Sequence, residues 1–185
     1  MDPARRTLLV ALERHEPADD VERAHVTSVV RLIEGQSQCF ARGFFTPGHI
    51  TASAFVLDEA GRLLLHHHKK LDRWLQLGGH DEGEQDPRLA ALREAREESG
   101  IIDLAFSEDA IFDVDVHEIP AHKDQPRHFH HDIRYLLRAP AGAKLMRDDL
   151  ESNALEFVPL EEARVRLAEA SADRVIAKIR RHLAS

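Results

Sequence analysis

The spacing of apolar residues divides the chain into stretches of different period. At the N-terminus the period is helical. Residues 4–14, ARRTLLVALER, form a short amphipathic helix, and Asp19, Asp20 and Glu22 open a second. Asp19 followed by Glu22 has capping-box spacing, with Asp at the cap. Val26, Val29, Val30 and Ile33 then recur at i, i+3, i+4 and i+7, one face of a helix that Gly35 ends. These helices are expected to pack as a cap or as the surface of a homodimer.

Near Gly48 the pattern becomes that of strands. Residues 50–57, ITASAFVL, are apolar and β-branched, residues 58–61 make a turn, and residues 62–65 are a second strand, together a hairpin signature. Residues 74–77 are another short strand that runs into Gly78 and Gly79. A helix follows, with Asp86 as N-cap, Pro87 as first residue and a stop at Gly100. Beyond it, residues 101–104 are short and apolar, and residues 110–116 alternate in part, with Asp113 and Asp115 polar. Residues 118–130 read as a polar loop, 132–138 and 155–158 as strands, and Pro159 as the start of a helix. Residues 172–183 close the chain as a helix with Val175, Ile176, Ile179 and Leu183 on one face. This order predicts an α/β domain over residues 48–185, preceded by a helical extension over 1–47.

Composition narrows the function. A formal charge of −8 argues against a surface for nucleic acid polymers, which needs a basic patch. An acidic protein that meets a polyanionic small molecule needs metal to screen the repulsion. The single cysteine, Cys39, excludes an internal disulfide and a CxxC zinc site, and points to a cytoplasmic setting. No apolar run approaches a membrane span, and no signal-peptide pattern follows Met1.

The chemistry concentrates in residues 78–101, GGHDEGEQDPRLAALREAREESGI. At 100° per residue, Glu94, Glu97 and Glu98 fall within an arc of about 100°, with Leu89 and Leu92 opposite. The leucines are expected to pack on the sheet while the carboxylates point together. Like charges at this spacing repel by ~0.2–0.5 kcal/mol per pair. A hard divalent cation offsets that repulsion, because Mg²⁺ and Mn²⁺ prefer carboxylate and phosphate oxygen. Runs of glutamate also cover ordinary solvated helix faces; the glycine loop before this helix favours the metal reading.

Gly79, Arg93, Glu94, Glu97, Glu98, Gly100 and Ile101 stand at the spacing of the Nudix box, and the chain resembles Nudix hydrolases over roughly residues 48–170. The resemblance implies an α/β/α sandwich around a mixed β-sheet. It implies hydrolysis of a diphosphate bond in a nucleoside diphosphate derivative or similar small molecule, with Mg²⁺ or Mn²⁺. Glu94, Glu97 and Glu98 would be metal ligands, one of them a candidate base. Arg93 would orient the carboxylates, and Gly79 would offer backbone to metal or substrate. One departure stands out: the family's early glutamate falls on Gln85, with Glu84 and Glu82 nearby as substitutes.

The histidines add a second theme. The His80 loop resembles that of isopentenyl-diphosphate isomerases, which have Cys-Gly-His there and another metal-binding His at the start of the first core strand, where His49 stands. Gly78 occupies the position of the reactive cysteine, which argues against isomerase chemistry. His128 and His130, at i and i+2 of an extended segment, place both imidazoles on one side. His49, His80, His128 and His130 are therefore candidates for a site holding a transition metal or contacting substrate. A non-catalytic diphosphate-binding module is the remaining alternative. Arg42, Trp74 and Arg127 are further candidates for substrate contact, as is Arg134 if it does not point outward. Residues 66–68, three histidines before Lys69 and Lys70, read as a solvated strand end or a phosphate contact.

Overall fold

Two N-terminal helices form where the apolar period is 3.6. In the computed structural model, helix α1 spans Pro3–Arg14 and α2 spans Asp20–Gly35. The structure describes residues 1–80, 83–122, 125–147, 150, 152–167 and 169–185. Asp2 caps α1 by accepting from the Arg5 amide, and Asp19 caps α2 by accepting from the Glu22 amide at 2.7 Å. The strands are β1 (Gly48–Leu57), β2 (Leu63–His68), β3 (Arg73–Leu75), β4 (Leu77–His80), β5 (Ala105–Phe106), β6 (Asp113–Ile119), β7 (His128–Arg138) and β8 (Ser152–Val158). Helices α3 (Pro87–Ser99), α4 (Leu160–Leu167) and α5 (Ala172–Ala184) complete the set. The hydrogen-bonded strand order is β3-β2-β1-β7-β5, with β4 beside β1, β6 beside β7 and β8 beside β2.

The chain forms two compact units, and β1, β4, β7 and α3 run from one into the other. The first contains Met1–Ser53, Gly79–Ala91 and Ala110–Tyr135. Its helices pack on each other, and α2 packs on β6. Leu8, Leu12, Val29, Leu32 and Ile33 are buried, so the apolar stripe of the N-terminal helices is used within this unit, as a cap. Glu22, three residues after the Asp19 cap, turns its side chain inward. Its buried carboxylate accepts from the Ala18 amide at 2.6 Å and the Val114 amide at 3.1 Å, and lies 2.8 Å from His15 Nε2. A carboxylate out of water takes whatever donors surround it.

The β6/β7 ladder is antiparallel and sets Asp113 opposite Arg134, Asp115 opposite Asp132 and His117 opposite His130. Arg134 is neither outward nor a phosphate contact, because its side chain is 0% exposed. Its Nε donates to Asp132 Oδ2 at 2.8 Å, and its other nitrogens lie 3.3 Å from Asp115 Oδ2 and 3.5 Å from Asp113 Oδ2. Thr51 and Ser53 of β1 donate to the two oxygens of Asp132 at 3.1 and 2.7 Å. Asp113 and Asp115, the polar positions of the partly alternating stretch, are buried, with the Arg134 guanidinium in place of water. Burial acts to raise the Asp115 carboxyl. Hydrogen bonds from His117 and His25, and the Arg134 charge, outweigh it and hold that group well below the usual carboxylate range.

The second unit contains Ala54–Gly78, Leu92–Asp109 and Leu136–Ser185. Here β2 pairs with β8 from Leu63↔Val158 to His68↔Ser152, and with β3 from His66↔Leu75 to His68↔Arg73. Helix α4 packs on β2, β3 and α5. Val175, Ile176 and Ile179 fill its core from the predicted face of α5, while Leu183 is partly exposed at the helix end. Strand β7 begins four residues earlier than the sequence pattern indicated, because β6 continues to Ile119 and pairs it with His128. The polar loop is correspondingly shorter.

Replacing Arg134 by Met removes the guanidinium that Asp113, Asp115 and Asp132 share and is expected to cost ~3–5 kcal/mol at pH 7. The measurement is the urea midpoint of unfolding; an unchanged midpoint would refute the shared role. The lowered Asp115 value has a definite sign. Its contribution is complete above the unfolded carboxylate value of about 3.9 and is lost as pH falls through the lower folded value. Wild-type stability therefore drops on acidification below about pH 4, and Asp115→Asn shows less of that drop.

Candidate active site

Helix α3 forms as its caps direct. Asp86 Oδ1 accepts from the Arg88 amide at 2.9 Å, and the Gly100 amide closes the last turn on Arg96 O at 2.8 Å. Gly100 has φ +71°, and a Cβ there would meet Met146 Cβ at 2.4 Å. The buried face is not the expected one. Leu89 is 48% exposed and Leu92 is half-buried, whereas Ala90, Ala91 and Ala95 are fully buried. Ala91, Ala95 and Glu98 share one side of the wheel. Small side chains on that side let the helix sit close to its neighbours, and Glu98 is carried inward with them.

Glu98 is only 5% exposed. Its Oε2 accepts from the Gly78 amide at 2.9 Å, and its Oε1 lies 3.7 Å from His66 Nδ1. The half-buried Arg93 donates through Nη1 to Glu94 Oε1 at 3.1 Å and to Glu97 Oε2 at 3.0 Å. One cation thus bridges two of the glutamates and a backbone amide fixes the third. Glu97 is the exposed member. All the negative groups here are carboxylate oxygens, a hard donor set that suits a divalent cation of the Mg²⁺ type.

His66 was expected at a solvated strand end and is instead buried inside β2. Its Nδ1 lies 2.9 Å from Ser152 Oγ. Burial, with smaller effects from His68 and His67, lowers its pKa to about 4, so the ring is neutral. The period of two would have found it, since His66 falls on the same face as Leu64. His67 and His68 are half-buried, and Lys69 and Lys70 are exposed in the turn that follows. In the loop before α3, Gln85 is exposed with φ 52°, Glu84 is exposed, and Glu82 lies outside the described residues.

A second convergence lies wholly in the first unit. The ring centroids of His49 and His80 are 5.2 Å apart, those of His49 and His130 4.9 Å, and those of His80 and His130 5.1 Å. His128 stacks on His49 at 5.2 Å, with its Nδ1 2.7 Å from Pro126 O. Gly48, at φ +141°, makes this approach feasible: a Cβ there would meet Phe129 O at 2.0 Å. Burial lowers His49, lowers His80 to about 4 with help from the Arg42 charge, and lowers His130 to about 2 with help from His80 and His49.

The remaining candidates are dispersed. Arg42 is exposed, near enough to act electrostatically on His49 and His80. Trp74 is half-buried, with the Arg166 guanidinium 4.3 Å over its ring. Arg127 is exposed and paired with Glu118.

A family model of the NUDIX domain matches residues 47–179. The chain is 32% identical over 136 residues to a probable DHNTP pyrophosphohydrolase of Lactococcus lactis subsp. cremoris, covering 72% of this chain and 76% of the relative. Among solved structures it is similar to an Ap4A hydrolase of C. elegans in a binary complex, with TM-score 0.54 and 21% identity over 73% of this chain and 97% of that one. It is also similar to the dihydroneopterin triphosphate pyrophosphohydrolase of E. coli, with TM-score 0.55 and 17% identity over 70% and 92%. The two structural likenesses show the fold, the expected sandwich around a mixed sheet. The chain belongs to the NUDIX hydrolase family. It is a pyrophosphohydrolase, and its reaction class is the hydrolysis of a diphosphate bond in a small molecule. No helix among the described residues is long and apolar enough to cross a membrane.

The C-terminal stop of α3 can be tested directly. Gly100→Ala forces a side chain into both a left-handed backbone and the Met146 contact, and is expected to cost more than about 1 kcal/mol. Thermal unfolding measures it; a variant as stable as wild type would show that the helix end yields freely.

Proposed function

We propose that Glu94, Glu97 and Glu98 of α3 hold Mg²⁺ or Mn²⁺ against the diphosphate of a nucleoside diphosphate derivative or a similar small molecule. The observation that carries this reading is the arrangement of Arg93 and the Gly78 amide around the three carboxylates. When bound, such a metal stabilises charge on the phosphorus centre and lowers the pKa of water. Arg93 keeps Glu94 and Glu97 from turning apart. The Gly78 amide holds Glu98 in a fixed rotamer, and Gly79 offers backbone as the motif spacing suggests. Hydrolysis forms a bond from water oxygen to phosphorus and breaks the bridging phosphorus–oxygen bond, and one of the three carboxylates takes the proton from water. Arg42, Trp74 and Arg127 remain candidates for contact with the rest of the substrate. In this reading residues 1–47 are a helical extension, residues 48–185 the hydrolase domain, and the enzyme is cytoplasmic. Association into a homodimer is the matching quaternary reading.

The test is product release from a panel of nucleoside di- and triphosphates, nucleotide sugars and dinucleoside polyphosphates, with Mg²⁺ or Mn²⁺. The Lactococcus relative adds DHNTP to that panel. Glu97→Gln and Glu98→Gln are each expected to lose about 100-fold or more in kcat. Wild-type rates in both variants would overturn the assignment of these carboxylates.

A further inference from the structure

His49 is 1% exposed, and its two ring nitrogens have different surroundings. Nδ1 lies 3.2 Å from Phe44 O. A carbonyl oxygen only accepts, so Nδ1 carries the proton and Nε2 keeps the lone pair. That Nε2 is buried and has no hydrogen-bond partner among the described residues. A buried acceptor without a donor is uncommon and calls for an explanation. One ring nitrogen from each of His49, His80 and His130 lies within 4.8 Å of the other two.

We propose that His49, His80 and His130 form a tris-imidazole site for a divalent transition metal of the Zn²⁺ class. The site goes beyond the carboxylate reading of α3 and differs from it in donor chemistry. Imidazole nitrogen suits Zn²⁺ and its neighbours and is a poor ligand for Mg²⁺. Metal–nitrogen bonds of about 2.0–2.1 Å in a tetrahedral centre set the nitrogens roughly 3.4 Å apart, so the rings draw in on binding. Three protein ligands leave a fourth position for water or a substrate oxygen. The Phe44 carbonyl acts as the orienting partner that a metal-bound histidine needs on its far nitrogen. Of the four histidines singled out in sequence, His128 is not a ligand in this assignment. Its Nδ1 faces the Pro126 carbonyl and its ring supports His49 by stacking at 5.2 Å. His117 is turned to Asp115 Oδ2 at 3.1 Å, and its ring borders His130 at 5.6 Å.

The experiment uses full-length protein purified without an affinity tag, stripped with a chelator and titrated with Co²⁺ as a spectroscopic probe in excess Mg²⁺. Wild type is expected to give the ligand-field absorption of a nitrogen-coordinated centre, saturating at one Co²⁺ per chain and displaced by Zn²⁺. His49→Ala and His80→Gln are each expected to weaken Zn²⁺ binding by more than about 100-fold. Glu97→Gln, and His122→Ala as a surface-histidine control, are expected to bind as wild type does. Circular dichroism checks folding. If His49→Ala does not fold, His80→Gln decides, because that ring is only half-buried. No Co²⁺ absorption in wild type, or unchanged Zn²⁺ affinity in the folded histidine variants, overturns the proposal. Loss of turnover in Glu97→Gln with an intact Co²⁺ spectrum separates this site from the carboxylate reading.

Discussion

A carboxylate taken out of water must find donors, and much of this structure is arranged by that requirement. Glu98 reaches a position only 5% exposed because the Gly78 amide meets it there. The same requirement fixes Asp132 between Arg134, Thr51 and Ser53, and Glu22 between Ala18 and Val114. Each of these acids ties together segments distant in sequence. Leaving one partner out would strand a buried charge, so the pairings specify register as well as stability.

The chosen face of α3 follows from this. A helix that packed through Leu89 and Leu92 would turn Glu98 to solvent and away from Gly78. Packing through Ala90, Ala91 and Ala95 gives up apolar area, since alanine offers little to bury, but it keeps the acid at its donor. Arg93 then settles the repulsion between Glu94 and Glu97 that the wheel alone left unbalanced. Rigidity at Glu98 and exposure at Glu97 give the set one fixed and one accessible member.

The sequence was most legible where local chemistry decides. Asp86, Pro87 and Gly100 bounded α3 correctly, Asp19 capped α2, and the change of period at Gly48 marked β1. Family membership was legible because the spacing from Gly79 to Ile101 is long and specific. Burial of polar residues was not legible. Asp113 and Asp115 read only as polar positions of a strand, Arg134 as a phosphate contact or an outward residue, and His66 as a solvated strand end or a phosphate contact. Their burial depends on partners on other strands, and no local period encodes those. The face of α3 was misjudged for the same reason: a wheel shows which residues share a side and not which side the sheet will take. For the histidines, i and i+2 spacing brought His128 and His130 to one side. That spacing does not encode the contact of His128 Nδ1 with the Pro126 carbonyl, nor that of His49 Nδ1 with the Phe44 carbonyl.

The Arg134 cluster sets three carboxylates around a single guanidinium. Their surplus has an effect beyond holding β6 to β7. The charge of Asp132 is felt at His80, where it opposes the penalty that burial places on a positive ring. His117 turns to Asp115 at 3.1 Å and borders the His130 ring. The first unit thus contains its own source of negative potential, screened from water. A small cation entering among the imidazoles would gain counter-charge at second hand, without any acid touching it. Selectivity there would then be set by the nitrogen ligands, and electrostatic attraction by residues that never coordinate.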